Sequence, residues 1–429
     1  MCVPSYPSGD LLVMKIGEKK DLVEQAFKLF ARGELKESLS RLEEAITQAK
    51  KEGNQSEQAR LMGKMGVILL EADQLEGARL CLEEVLSLSR DLKNKELEAD
   101  ALSNLGLVTT ASGDPGTGLL KQQEATIIAR ETNNQFLIMT HIGLLGHAYI
   151  QLANMEEAGK AYIEALKIAR EIEDVSAQRG FLNNLGIIFG NLDQHENAVR
   201  AFSELSELAA ESKDFKLALN AEKNLVKHAI AMGEIKQIVY HSRQGLELID
   251  AHLQGIGERD AFEGMLLLGL MSSSQYQEAR GELTRIIQTA VENGNQQKAL
   301  KAIGQLADAL YALDDLEAAE MEYNKALEIS VKLQEKSVEA RILGRLAALS
   351  ADKDDLGKSN QYLKQGLKIA EDLNEPEIIG EQSYLLALNY QDQGKIDRAK
   401  VNAHRSIEAY LADGAEIPGE KARSLLGSL

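Results

Sequence analysis

Few residues of this chain have the types and spacing that chemistry needs, and each such group lacks a necessary member. In "SGDPGTGLLK", Gly113 and Gly118 have the G-x-x-x-x-G spacing of a loop that cradles phosphate with backbone N–H groups. Such a loop places its lysine directly after the second glycine, whereas Leu119 and Leu120 come before Lys121 here. No strand pattern leads into the glycines, so nucleotide binding is not expected. The histidines at 141, 147, 195, 228, 241, 252 and 404 include no H-E-x-x-H pair and no Cys/His ligand spacing, which argues against a metal site. Acidic neighbours such as Asp314 and Asp315 fall in turns, and nothing pairs a nucleophile with a base. The reading is of a chain that is not an enzyme and needs no cofactor.

Bulk properties narrow the partners. Lysine and arginine number 48 against 67 aspartates and glutamates, a net charge of −19 that disfavours nonspecific nucleic-acid binding. Aromatic residues make up 4% and tryptophan is absent, which leaves little for stacking on bases. Cys2 and Cys81 are too few for a disulfide framework, so a reducing compartment is tolerated. No apolar run approaches the roughly 18 residues of a spanning helix, so membrane insertion is not expected. The opening "MCVPSYPSGDLLVMKIGEKK" has no basic region before its short apolar stretch and makes a poor signal peptide. The expected location is the cytoplasm.

What positions the side chains is a forty-residue echo. Small residues recur at Ala26, Gly66, Gly106, Gly146 and Gly186, and the register continues through Val226, Leu267, Ala307, Ala347 and Ala387. A second track, twelve residues on, runs from Ser38 through Ala78, Gly118, Ala158 and Ala198 to Ala399. A fixed period of this length marks stacked supersecondary units that bury their apolar faces only against one another. Within each unit, apolar residues return every three or four positions through two segments split by a polar turn, the pattern of a helix hairpin. The two tracks predict close approach of the paired helices, with Gly146 facing Ala158 and Gly186 facing Ala198. One equivalent turn position carries Gly33, Asp73, Gly113, Ala153, Asp193, Gly233, Ser274, Asp314, Asp354 and Gly394, and its four glycines and four aspartates suit the left-handed residue that commonly ends a helix. Asn54, Asn94, Asn134, Asp174, Asp214 and Asn295 are predicted N-caps. Pro115 is read as part of a turn and Pro376 as a helix start.

The stretches "NLGLVTTASGDPGTG", "LLGHAYIQLANMEEA", "NLGIIFGNLDQHENA", "LADALYALDDLEAA" and "LALNYQDQGKIDRA" resemble the tetratricopeptide repeat. That motif has a Leu-Gly pair and an aromatic on its first helix and two alanines on its second. The resemblance covers about residues 20–412, and the forty-residue unit is similar to the form in Pins/LGN polarity scaffolds. It implies an all-α, right-handed superhelical solenoid of about ten helix hairpins, whose first helices line a concave groove for peptides or partner helices. The match is weakest over 220–295, where Val226 and Leu267 stand in the small-residue register. A degenerate repeat and a local bend both account for this.

Transferred by register, the resemblance places two residue stripes in the groove. One includes Lys64, Asn104, Leu144, Asn184, Asn224, Met265, Arg345 and Leu385; the other includes Arg60, Asp100, Lys301, Arg341 and Glu381. His147 is placed there too, as a polar contact. Lys223 and Lys227 add charge beside Asn224. The pairs Arg60 with Lys64 and Arg341 with Arg345, each four residues apart, would repel in isolation and resemble two-residue clamps for a peptide carboxylate. Asn104, Asn184 and Asn224 form a sparse amide ladder able to bond an extended peptide backbone.

Residues 1–19 are read as an N-terminal extension that either caps the array or lies in the groove. Residues 413–429 are read as a capping helix with Leu425, Leu426 and Leu429 against the last repeat. The functional expectation is a noncatalytic scaffold or adaptor binding a peptide or helical segment of a protein, with an acidic or C-terminal carboxylate segment as one form of ligand. The alternative is a peptide-sensing regulatory module.

Overall fold

The computed structural model describes residues 20–253, 255 and 257–429; the expectations for residues 1–19 lie outside them. Every regular element among the described residues is an α-helix. The chain divides into two compact units, Met1–Phe262 and Glu263–Leu429. The first holds α1 (Lys20–Ala31), α2 (Leu35–Lys51), α3 (Gln55–Glu71), α4 (Leu75–Asp91), α5 (Lys95–Ala111) and α6 (Pro115–Arg130). It continues with α7 (Gln135–Gln151), α8 (Met155–Glu171), α9 (Val175–Asn191), α10 (His195–Glu211), α11 (Phe215–Met232) and α12 (Ile235–His252). The division falls within α13 (Arg259–Ser272). The second unit then holds α14 (Tyr276–Glu292), α15 (Gln296–Ala312), α16 (Leu316–Leu333), α17 (Lys336–Asp352), α18 (Leu356–Leu373), α19 (Pro376–Asp392), α20 (Ile396–Asp413) and α21 (Glu416–Ser428). Sequence neighbours pack on one another from α1 to α12 and from α14 to α21, and first helices also meet, α3 with α5, α5 with α7 and α17 with α19.

Helix ends follow the local chemistry. Asn54, Asn94, Asn134, Asp174, Asp214 and Asn295 each accept a hydrogen bond from the backbone N–H three residues on, satisfying a donor that a helix start leaves orphaned. All ten turn residues anticipated as left-handed have positive φ, from 55° at Asp193 to 94° at Gly113. Pro115, anticipated in a turn, is instead the first residue of α6, where its missing N–H leaves no bond unmade.

The interior corrects one expected pairing. A Cβ at Gly146 would lie 3.2 Å from the Tyr162 ring and one at Gly186 only 2.6 Å from the Phe202 ring, so rings rather than Ala158 and Ala198 come closest. Leu82 fills the same role over Gly66. The cause is the long side chain one turn beyond the small residue, which reaches back over the missing Cβ. In the third repeat the tracks do face directly: a Cβ on Gly106 would stand 3.0 Å from the Gly118 carbonyl oxygen, and one on Gly118 2.8 Å from that of Gly106. Glycine inside a helix costs about 1 kcal/mol relative to alanine. At Gly186 that cost is offset by seating Phe202, which is fully buried among Tyr162, Leu182, Leu205 and Leu225. At the chain's end, Leu425 of α21 is buried with Ala387 and Ala403.

Polar ladders tie successive repeats on the second helices. Arg90 reaches Glu124 at 3.6 Å, Arg130 reaches Glu164 at 2.9 Å and Arg170 reaches Glu204 at 2.6 Å. Each such exposed pair contributes at most about 1 kcal/mol.

Candidate interaction surface

The outward side of each first helix is set by the helical period, since the residues facing its hairpin partner leave a complementary strip on the far side. On α3, Arg60 is exposed and 3.9 Å from Glu57. Lys64 is half-buried with its ammonium 6.0 Å from the centre of the Phe27 ring. Burial lowers the Lys64 pKa, Glu57 works against that shift, and Arg60 adds to it. Arg60 thus disfavours the charge on Lys64.

Asn104 on α5 and Asn184 on α9 are partly exposed, and their amides make no hydrogen bond among the described residues. Asn224 on α11 differs: its amide donates to the Asn220 carbonyl at 2.9 Å. Lys223 and Lys227 are exposed on the same helix and form no ion pair among the described residues. Lys223 joins Lys216, Leu219, Asn220 and Glu258 around a small recess. His147 on α7 lies 3.1 Å from the Gln151 amide nitrogen, and burial lowers its pKa.

The second unit treats its cations differently. Arg341 on α17 donates to Glu377 of α19 at 2.7 Å, a hydrogen bond that raises its pKa. Arg345 lies between Asp308 of α15 at 3.6 Å and Glu381 of α19 at 3.9 Å. Asp308 also accepts a hydrogen bond from the Tyr323 hydroxyl at 2.6 Å. Lys301 on α15 is exposed and has no ion pair among the described residues. The two arginines are therefore already neutralised; of the carboxylates that do so, Glu381 stood on the groove stripe read from the sequence, whereas Glu377 and Asp308 were not singled out. The signal was present in the spacing, because Glu377 follows Arg341, and Glu381 follows Arg345, by nearly one repeat.

Two buried carboxylates also escaped notice. The core register that holds Met62, Leu102, Ile142 and Leu182 holds Glu222 and Glu263 in the sixth and seventh repeats, within the stretch whose motif is weakest. Glu222 accepts from the Ser206 hydroxyl at 2.6 Å and lies 2.8 Å from His241 Nδ1. Glu263 accepts from Lys298 at 2.8 Å and Arg285 at 3.3 Å. Both are buried polar groups with partners, as burial of a charge demands. His228, buried on α11, sets its Nδ1 3.2 Å from that of His195 and stacks on Phe202. Its pKa is lowered by burial first, then by His195 and Lys227. Among the described residues no group of three or more His, Cys, Asp or Glu side chains is placed to hold a metal ion, and no helix is long and apolar enough to cross a membrane.

Comparison with known proteins bears on the fold. The family model of the tetratricopeptide repeat matches residues 142–172 and 300–330, which fall on the hairpins of α7 with α8 and α15 with α16. These two hairpins match the tetratricopeptide repeat. No curated protein matches it by sequence. Among solved structures, this chain is similar to the apo form of RapI, with 14% identity, 68% of this chain and 98% of that one covered, and a TM-score of 0.42. It is similar to a signal transduction ATPase with numerous domains, bearing a tetratricopeptide repeat sensor, from Pyrococcus horikoshii: 13% identity, 96% and 56% coverage, TM-score 0.34. For the tetratricopeptide-repeat domain of P58(IPK) the identity is 13%, the coverage 86% and 98%, and the TM-score 0.29.

Proposed function

We propose that this chain is a noncatalytic adaptor that holds a peptide or helical segment of another protein along the outward faces of its first helices. The observation that carries this is the set of polar groups there without partners among the described residues: the amides of Asn104 and Asn184 and the ammonium groups of Lys223 and Lys227. An amide with a free donor and acceptor can bond an extended backbone, and unpaired lysines in a chain of net charge −19 favour an acidic ligand. The same net charge disfavours nucleic acid. A ligand carboxylate meets Lys223 and Lys227 without displacing anything, whereas at Arg341 and Arg345 it must displace Glu377, Glu381 or Asp308. A cytoplasmic setting fits the lack of a disulfide framework.

The test is amide hydrogen exchange of the protein alone and with a partner captured by affinity from native lysate. Protection is expected on α5, α9 and α11. Protection confined to the second helices α4, α6, α8 and α10 would overturn the reading.

A further inference from the structure

Gly304 shares with Gly264 and Gly281, in the second unit's helices, a position where no described neighbour requires a glycine. Gly304 lies in the middle of α15, where glycine is the least favourable residue after proline. A Cβ there would meet nothing within 4 Å, unlike the one at Gly186 that would strike the Phe202 ring. The missing side chain opens a recess of about 390 Å³ between α15 and α17. Its floor is apolar, made by Leu300, Val338 and Ile342, and a volume at the low end of ligand pockets admits a large side chain rather than a whole helix.

Charge on the rim selects further. Asp308 is engaged by Tyr323 and Arg345, and Glu335 accepts from Gln297 at 3.2 Å. Lys301 alone among the rim charges makes neither a side-chain hydrogen bond nor an ion pair among the described residues. We infer that this recess seats one bulky apolar side chain of the partner's segment, with an adjacent Asp or Glu of that segment on Lys301, and that Gly304 keeps the seat open. The inference rests on the adaptor reading and gives it a preferred ligand chemistry.

A phage-displayed library of random short peptides, panned on the full chain, tests it. Wild type is expected to enrich peptides with Leu, Ile, Met or Phe beside Asp or Glu. Gly304→Leu, which fills the recess from a position with space around it, should bind them at least about tenfold more weakly with unchanged helicity and melting. Lys301→Glu, on an exposed side chain, should keep the apolar preference and exchange Asp or Glu for Lys or Arg; it carries the test alone if Gly304→Leu melts early. Enriched peptides that bind Gly304→Leu as tightly as wild type, or an acidic preference that survives Lys301→Glu, would overturn the recess and leave the adaptor reading standing. Enrichment of no peptide by wild type would overturn both.

Discussion

On α5, α9 and α11 of the first unit, Asn104, Asn184, Lys223 and Lys227 point outward with no partner among the described residues, whereas on α17 of the second unit Arg341 and Arg345 are engaged by Glu377, Asp308 and Glu381. Arg345 and Asn104 occupy the same register position six repeats apart. A basic residue on an outward face is thus not by itself a ligand site. What matters is whether the flanking repeats supply a counter-charge, because a ligand gains only the difference between its own contact and the one it replaces.

That contrast can be broken at four points. The largest effect is expected in the interior that aims the amides. Gly186→Leu should drive α9 off the Phe202 ring and cost about 1 to 3 kcal/mol or more. A thermal melt indistinguishable from wild type would mean that the rotation of α9, and so the outward placement of Asn184, is misassigned. Next comes the double change Asn104→Ala with Asn184→Ala. At about 1 kcal/mol per hydrogen bond it should cost roughly 2 kcal/mol of affinity, near thirtyfold, with no change in melting. Adding Asn224→Ala should contribute less, since that amide is already spent on Asn220. Titration of the captured partner decides this, and an unchanged affinity would reduce the ladder to solvated amides.

Charge reversal sharpens the contrast directly. Lys223→Glu with Lys227→Glu should weaken binding roughly tenfold and reduce its salt dependence without loss of stability. Arg341→Glu with Arg345→Glu should affect binding less and stability more, by less than about 1 kcal/mol for each exposed pair lost. Equal losses of affinity in the two variants would erase the distinction between the units. The smallest effect is in pH. Because the folded state lowers the His228 pKa, the neutral ring is favoured in the fold, while the unfolded chain takes up a proton near pH 6.5. Stability from this contact is full above about pH 6.5 and is lost as the pH falls below it. His228→Phe should flatten that acid-side slope in pH-dependent melts. Parallel curves for variant and wild type would remove the titration from His228.

The hairpins were legible because their signals are local. A helix start needs an oxygen three residues before a free N–H, and a left-handed turn needs a residue that tolerates it, so Asn54 or Gly113 can be read in isolation. Ala153 and Ser274 adopt the same left-handed geometry without being suited to it, and there only the repeat register disclosed the turn. The notch at Gly146 was legible but not its occupant, since choosing Tyr162 over Ala158 requires the rotation of α8 about its axis. The neutralised arginines were missed for a related reason. Arg341 meets Glu377 thirty-six residues away, a contact that belongs to the stacking of repeats and to neither helix alone. Glu222 and Glu263 could have been found, because a glutamate in a register of Met, Leu and Ile announces a buried partner.

The ladder on the second helices bears on how such a chain can change length. Arg130 finds Glu164 and Arg170 finds Glu204, each thirty-four residues downstream. Excising residues 131–170 would bring Glu204 to that same distance from Arg130, closing one rung from the halves of two. The same cut joins the end of α6 to Glu171, the last residue of α8, so Asp174 would cap α9 as before. Any excision or duplication of one whole period between these rungs therefore preserves the pairing across its seam. Tandem gain and loss of repeats is open to this stretch of the gene without a compensating point mutation.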